Sequence, residues 1–246
     1  MIRQDYLQSL KYMFHARQFA YDMLRRFFLE EPSKEYLQHF VHENLIDLFP
    51  FAENSEPIKA GIVEIKGYLT NHDVIENNEH YENLHWDYTR LFIGPFELPA
   101  PPWESVYVRK DRLLFQANTV AVRNLYNNFG YEINHNHLEA EDHIGLELDF
   151  MFHLNELCIE QVMKNNFKTA SNVTYLIGEQ SRFLRNHLLA FTPKFSQEVI
   201  EHAQTQFYSG MAKLLISYLE VDTQILNEVL EMNIKQNKGG AHQCIN

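Results

Sequence analysis

The sequence predicts an all-α protein built as a bundle of many helices. The 246 residues include only 9 glycines and 8 prolines, whereas average usage of about 7% and about 5% would give about 17 and about 12. Apolar residues recur every three or four positions through most of the chain, which is the helical period. No alternating strand pattern or internal repeat is present. With 45% apolar residues, the chain can build a substantial core.

The apolar stripes place the helices in order along the chain. We expect them over residues 5–29, 36–49, 57–69, 84–92, 112–129, 140–165, 171–189, 196–219 and 222–230. Proline and glycine end most of these stretches because neither continues a helix well. Pro193 is expected to stop the seventh helix, and Asp222 to cap the start of the last one. The stretch 140–165 is apolar on most faces, which predicts a central, buried helix.

A polar stretch interrupts the helical pattern near the middle of the chain and predicts two helical subdomains joined by a hinge. The first subdomain spans residues 1–130 and contains a loop rich in aromatic residues and proline. The second begins at the hinge and spans residues 131–236. The last residues, 237–246, read "KGGAHQCIN" after Asn237 and predict a flexible tail.

The net charge of −12 and the pI near 5.5 argue against nucleic-acid binding, which needs clustered lysine and arginine. An acidic chain suits a partner that carries positive charge. Cys158 and Cys244 have no partners at metal-ligand spacing, which favours a reducing compartment. The sequence contains no run of 18 apolar residues, so it predicts no membrane-spanning helix. The sequence therefore predicts a cytoplasmic protein without stable membrane insertion.

The N-terminal helix contains two consecutive arginines followed by Phe27-Phe28-Leu29. This order resembles the core of a twin-arginine export signal. The next residues, 30–35, are charged or polar where an export signal needs an apolar segment. We therefore interpret Arg25 and Arg26 as structural arginines of a helix.

Catalytic motifs are sparse in this sequence. No Gly-x-Ser-x-Gly elbow or glycine-rich phosphate loop occurs. Glu139, His143 and Glu147 are spaced by four residues and would share one helix face, as metal ligands can. A metal-binding helical enzyme that uses His143 and Glu147 is therefore one alternative. The other interpretation is that Glu141 and Asp142 occupy the first turn of a helix, where negative charge is favourable.

The stretch "WDYTRLFIGPFELPAPPWESVY", residues 86–107, concentrates aromatic residues around a helix end and a proline-bearing loop. Rigid loops that project aromatic side chains commonly line peptide-binding grooves. About thirty residues later comes "EAEDHIGLELDFM". Taken together, the two stretches resemble the TorD/DmsD family of redox-enzyme maturation chaperones.

The resemblance implies a TorD-like bundle and a cytoplasmic chaperone that is not an enzyme. Its partners would be the twin-arginine signal peptide and the apo form of a molybdopterin oxidoreductase of the DMSO/TMAO-reductase type, whose cofactor insertion it assists before export. No resident cofactor is implied, although weak nucleotide contact or transient contact with the molybdopterin cofactor stays open. The protein would be a monomer or a domain-swapped dimer. An assembly scaffold for a membrane oxidoreductase is a further alternative.

The family motifs fall on residues of this chain in two groups. The first group contains Tyr88, Leu91, Phe92, Gly94, Pro95, Pro102, Trp103, Ser105, Val106 and Tyr107, and the second runs from Glu139 to His143, with Ala140 where the family usually has proline. A peptide with two arginines and an apolar segment needs carboxylates beside apolar side chains. The predicted peptide-binding residues are therefore Tyr88, Leu91, Phe92, Phe96, Trp103, Glu104, Ser105, Tyr107, Glu139, Asp142 and His143.

Overall fold

A computed structural model describes residues 4–109, 113–114, 117–133, 139–164 and 168–241, with side chains up to residue 232. Every regular element in these ranges is helical, which confirms the predicted all-α class. The α-helices are α1 (Gln4–Leu29), α2 (Lys34–His42), α3 (Glu56–Asn71), α4 (Asn78–Tyr88), α5 (Glu104–Val108), α6 (Ala117–Asn128), α7 (Ile144–Lys164), α8 (Thr169–Phe183), α9 (Leu189–His202) and α10 (Gln206–Ala241). Wide π-helical turns at Thr89–Ile93 and Leu184–Leu188 continue α4 and α8, and two short 3₁₀ turns lie between α2 and α3.

Side-chain caps fix the starts of three early helices. Ser33 accepts a hydrogen bond from the backbone of α2, Ser55 from that of α3, and Asn77 from that of α4. Each cap satisfies a backbone N–H that has no partner within its own helix. These residues explain why the helices begin where polar residues interrupt the apolar pattern.

The bundle is organised around α1, α7 and α10. Helix α1 packs along α7, and α3 and α9 pack against α10. Gly145 at the start of α7 allows the closest approach, because a Cβ atom there would lie 2.5 Å from the Leu29 Cα atom of α1. As predicted, α7 is central, with buried side chains on most of its faces.

A buried ion pair links α1 to α10. The Arg17 guanidinium donates to both carboxylate oxygens of Asp222, at 2.5 and 2.9 Å, and the Tyr21 hydroxyl donates to Asp222 at 2.6 Å. Arg17 also donates to the Asn155 amide oxygen of α7 at 2.6 Å. The prediction that Asp222 caps a helix is therefore wrong: it lies inside α10, fully buried, and neutralises a buried arginine.

Pro193 does not end a helix, contrary to prediction, but lies inside α9. The wide turn at Leu184–Leu188 already interrupts the regular hydrogen-bond ladder just before α9. The backbone N–H that Pro193 lacks is therefore a smaller loss to the ladder of α9. The predicted helix over 196–219 is likewise divided, since α9 ends at His202 and α10 begins at Gln206.

The structure also bears on the ends of the predicted segments. Helix α10 continues to Ala241 and so includes the first residues of the segment 237–246 that was predicted as a tail; residues 242–246, with Cys244, lie outside the described part. Cys158 is a buried free thiol.

Residues 134–138 of the predicted hinge also lie outside the described part of the chain. Helix α1 of the first predicted subdomain packs against α7 of the second. The division into two subdomains stays a prediction.

Candidate functional site

The two sequence motifs meet as neighbouring backbone segments, which we call the motif junction (residues 102–105 and 140–144). The Ile144 N–H donates to the Pro102 carbonyl at 2.7 Å, and the Glu104 N–H donates to the Asp142 carbonyl at 2.9 Å. This antiparallel bridge pairs Trp103 with His143. The junction therefore attaches the proline-rich loop to the start of α7.

Asp142 stabilises the junction through its side chain. Its carboxylate accepts hydrogen bonds from the Ser105 N–H at 2.9 Å and from the Thr119 hydroxyl at 3.0 Å. Since the Ser105 N–H lies in the first turn of α5, Asp142 acts as a cap supplied by a distant segment. The Asp142 side chain is fully buried, so its carboxylate faces α5 and α6 rather than solvent.

Two further carboxyl groups are buried here, that of Glu104 within the junction and that of Glu147 in the first turn of α7. Glu104 is fully buried and accepts hydrogen bonds from the Asn118 amide at 3.0 Å, while the His187 ring nitrogen Nδ1 lies 3.0 Å from its other oxygen. Glu147 is fully buried as well, and no donor among the described residues bonds its oxygens. Burial, and then the charges of Glu104 and Asp142, hold the Glu147 pKa well above its usual range. Burial and the neighbouring carboxylates therefore favour the neutral, protonated form of Glu147.

His143 and Glu147 do not form a metal centre with their described neighbours. The Nδ1 atom of His143 accepts a hydrogen bond from the Gly145 N–H at 3.1 Å, and its ring meets the Trp103 ring edge-on at 6.0 Å. Within the described ranges, no group of three or more histidine, cysteine, aspartate or glutamate side chains has metal-binding geometry. The contacts of His143 instead fix the start of α7.

The first aromatic group belongs mainly to the core. Tyr88, Leu91 and Phe92 are buried. The Phe92 ring packs against aromatic rings from three other helices, those of Phe28, Phe195 and Tyr208. The wide turn ends at Gly94, whose φ of 112° is strained for other residue types. This glycine redirects the chain into the proline-rich loop.

The eleven predicted peptide-binding residues thus divide by their access to solvent. Seven are buried: Tyr88, Leu91, Phe92, Glu104, Ser105, Asp142 and His143. Trp103 and Tyr107 are half-buried; the Tyr107 hydroxyl donates to Glu198 of α9 at 2.6 Å. Phe96 is 86% exposed, and Glu139 is also exposed. The structure joins the motifs, but it does not gather all eleven side chains on one surface.

Sequence reasoning missed two large apolar side chains that solvent reaches on the segment of α4 and its wide turn. Trp86 is 60% exposed and Ile93 is 57% exposed. They lie seven residues apart, but the wide π-helical turn at Thr89–Ile93 separates them, so the α-helical period does not place them on one face. No sequence pattern distinguishes them from core residues.

The described chain is an all-α bundle in which the motif junction attaches the proline-rich loop to the start of α7. Residues 52–197, more than half of the chain, match the family model described as nitrate reductase delta subunit. The chain therefore belongs to this family. No helix in the described ranges is long and apolar enough to cross a membrane.

Two relatives named TorD align with more than four fifths of this chain. It is similar to the chaperone protein TorD of Aliivibrio salmonicida, with 27% identity over 207 residues, which are 84% of this chain and 92% of the relative. A TorD of Vibrio parahaemolyticus is 24% identical over 89% of this chain and 99% of its own length. The probable Tat proofreading chaperone DmsD of Haemophilus influenzae is 31% identical over 56% of this chain and 60% of its own length. The resemblance to TorD/DmsD chaperones is confirmed, and these relatives are named as chaperones.

Proposed function

We propose that the protein is a cytoplasmic chaperone that binds the twin-arginine signal peptide of a DMSO/TMAO-reductase-type molybdoenzyme and assists cofactor insertion before export. The observation that carries the proposal is the motif junction, whose buried bonds hold the proline-rich loop against α7. Similarity to chaperones named TorD and DmsD supports the same role.

The predicted site residues support this role in two ways. The exposed Phe96 and Glu139 and the half-buried Trp103 are available to contact a peptide. The buried residues position them, as Asp142 does by capping α5 directly after Trp103. An apolar peptide segment seeks aromatic surface, and its arginines seek carboxylates. The net charge of −12 accelerates capture of a cationic peptide at low salt.

Isothermal calorimetry tests the proposal with the signal peptide of a molybdoenzyme encoded beside this chain. We expect saturable binding that weakens as salt is added, because opposite charges attract less when screened. Trp103→Ala should weaken binding by about tenfold, the loss of about 1.4 kcal/mol expected for an interface aromatic residue. Tyr12→Ala, which removes an exposed aromatic side chain from α1, is the control. Absence of binding at low salt contradicts the proposal.

The family description favours a second candidate, an assembly scaffold for a membrane oxidoreductase. A scaffold would bind the folded body of the client in addition to, or instead of, its leader. Co-purification with apo client that lacks its signal peptide separates the two functions. Retention of this truncated client supports the scaffold, and its loss supports leader recognition.

We also propose that the protein is a monomer or a domain-swapped dimer. Exchange of the segment that follows residues 131–142 would keep the same contacts between two copies. Light scattering across protein concentration measures which form dominates. A stable mass of about three chains or more would exclude both forms.

A further inference from the structure

A small cavity lies between α6, α7 and α8 and extends to the wide turn at Leu184–Leu188. Its volume is about 190 Å³, somewhat more than the roughly 150 Å³ of an apolar cavity that holds benzene. The apolar side chains that line it are Leu125, Phe129, Phe150, Leu154 and Phe183. A cavity of this size and lining has room for one flat ring system.

Aromatic rings form one wall of the cavity. The Phe150 ring meets the Phe183 ring edge-on, with their centroids 4.9 Å apart, and the Phe129 ring meets the Phe150 ring edge-on at 6.1 Å. The Phe183 ring also packs against the His187 ring at 4.9 Å. Because aromatic rings gain additional energy from edge-on or offset contact with another ring, this wall favours an aromatic ligand over an aliphatic one of equal volume.

The wide turn places a histidine of fixed orientation in the cavity lining. The Nδ1 atom of His187 lies 3.0 Å from the carboxylate of Glu104, which is fully buried. Since an ionised carboxylate only accepts hydrogen bonds, Nδ1 carries a proton. The other ring nitrogen, Nε2, has no hydrogen-bond partner among the described residues. In a neutral imidazole this second nitrogen is an acceptor, and π-helical turns of this kind often occur at functional sites.

The charged groups that line the cavity are already paired. Glu179 and Arg182 form an ion pair with each other, and His187 contacts Glu104. The remaining polar side chain of the lining is that of Asn186, which is neutral. A charged ligand would lose its hydration here and gain no counter-ion, so the lining favours a neutral ligand.

We propose that this cavity binds a neutral, planar aromatic molecule of about nine non-hydrogen atoms that carries one N–H or O–H donor, and that the donor bonds Nε2 of His187. The lining includes none of the eleven predicted peptide-binding residues, so the site is separate from the one proposed for the signal peptide. The occupant is a free small molecule, because the volume of about 190 Å³ accommodates a ring system and leaves no room for the backbone of a peptide.

Ligand-detected NMR tests the proposal with indole, whose two fused rings carry a single N–H donor. We expect saturable broadening of the indole signals with a Kd below about 1 mM, which is within the binding energy per atom that a small ligand can reach. Indene has the same shape without the N–H and should bind about fivefold more weakly, because it leaves Nε2 without a partner. N-acetyltryptophanamide carries the indole ring on a peptide-like backbone and should bind more weakly than indole. Tighter binding of N-acetyltryptophanamide would show that the site takes a peptide side chain and would overturn the assignment to a free molecule.

A matched pair of variants on α6 locates the binding. Leu125→Trp places a larger side chain in the cavity and should abolish indole binding, whereas Val120→Trp, at an exposed position of the same helix, should leave it unchanged. Circular dichroism checks that both variants keep their helices. Absence of indole binding to the wild-type chain, or wild-type affinity in a folded Leu125→Trp, overturns the inference. Equal binding of indole and indene by the wild-type chain also overturns it, and that comparison needs no variant.

Discussion

Substitution of Glu147 by glutamine should change how stability depends on pH. An unfolded glutamate has a pKa of about 4.3, while the folded-state pKa of Glu147 is well above that range because the side chain is buried beside Glu104 and Asp142. Between these two pKa values the folded state keeps a proton that the unfolded state has released. Stability therefore falls as pH rises through this window, by about 1.4 kcal/mol per pH unit.

The size of the effect follows from the width of the window. Each unit by which the folded-state pKa exceeds the unfolded value of about 4.3 contributes about 1.4 kcal/mol to this difference. Glutamine carries no titrating proton and has nearly the same size as glutamate. The stability of Glu147→Gln relative to wild type should therefore increase with pH and then level off above the folded-state pKa.

Urea unfolding at pH 5, 6, 7 and 8 measures this difference. Glu156→Gln is the control, because Glu156 is an exposed glutamate on the same helix. The control should follow the wild-type pH profile. If Glu147→Gln also runs parallel to wild type over this range, the buried, protonated state of Glu147 is refuted.

Two further substitutions test the packing of the bundle. Asp222→Ala should cost about 3–5 kcal/mol, because it leaves Arg17 buried without its carboxylate partner; urea unfolding measures the cost, and a loss below about 1 kcal/mol, comparable to that of the exposed Glu220→Ala, contradicts it. Gly145→Ala should destabilise the protein because its Cβ would collide with the α1 backbone, whereas Gly67→Ala should stabilise it by up to about 1 kcal/mol because nothing lies within 4 Å. Equal melting temperatures for the two alanine variants would show that α1 and α7 are less closely packed than described.

Helical periodicity predicted most of the fold because each helix buries an apolar stripe of its own. The prediction failed where long-range contacts or adjacent distortions decide the outcome. Pro193 is a local stop signal that the preceding wide turn overrides. Asp222 has cap chemistry, but its partner Arg17 lies 205 residues away, and no local pattern reveals that pair.

The candidate site shows a similar division. The motifs identified the two segments that meet, but the residue types did not show which side chains solvent reaches. Asp142 and Glu104 were selected as carboxylates for peptide arginines, yet the bonds to Ser105 and Asn118 place both inside the protein. The amino-acid sequence does not distinguish an acidic residue at the surface from one at a buried junction. Only the packing of α5 and α6 distinguishes them.

The contacts of α1 impose an order on the completion of the fold during synthesis. This helix leaves the ribosome before α7 and α10, because the Asn155 side chain that Arg17 bonds is made 138 residues later and Asp222 is made 205 residues later. Until α10 has emerged, the guanidinium of Arg17 has no carboxylate with which to enter the core. Helix α1 therefore cannot complete its packing against α7 and α10 before α10 has been translated.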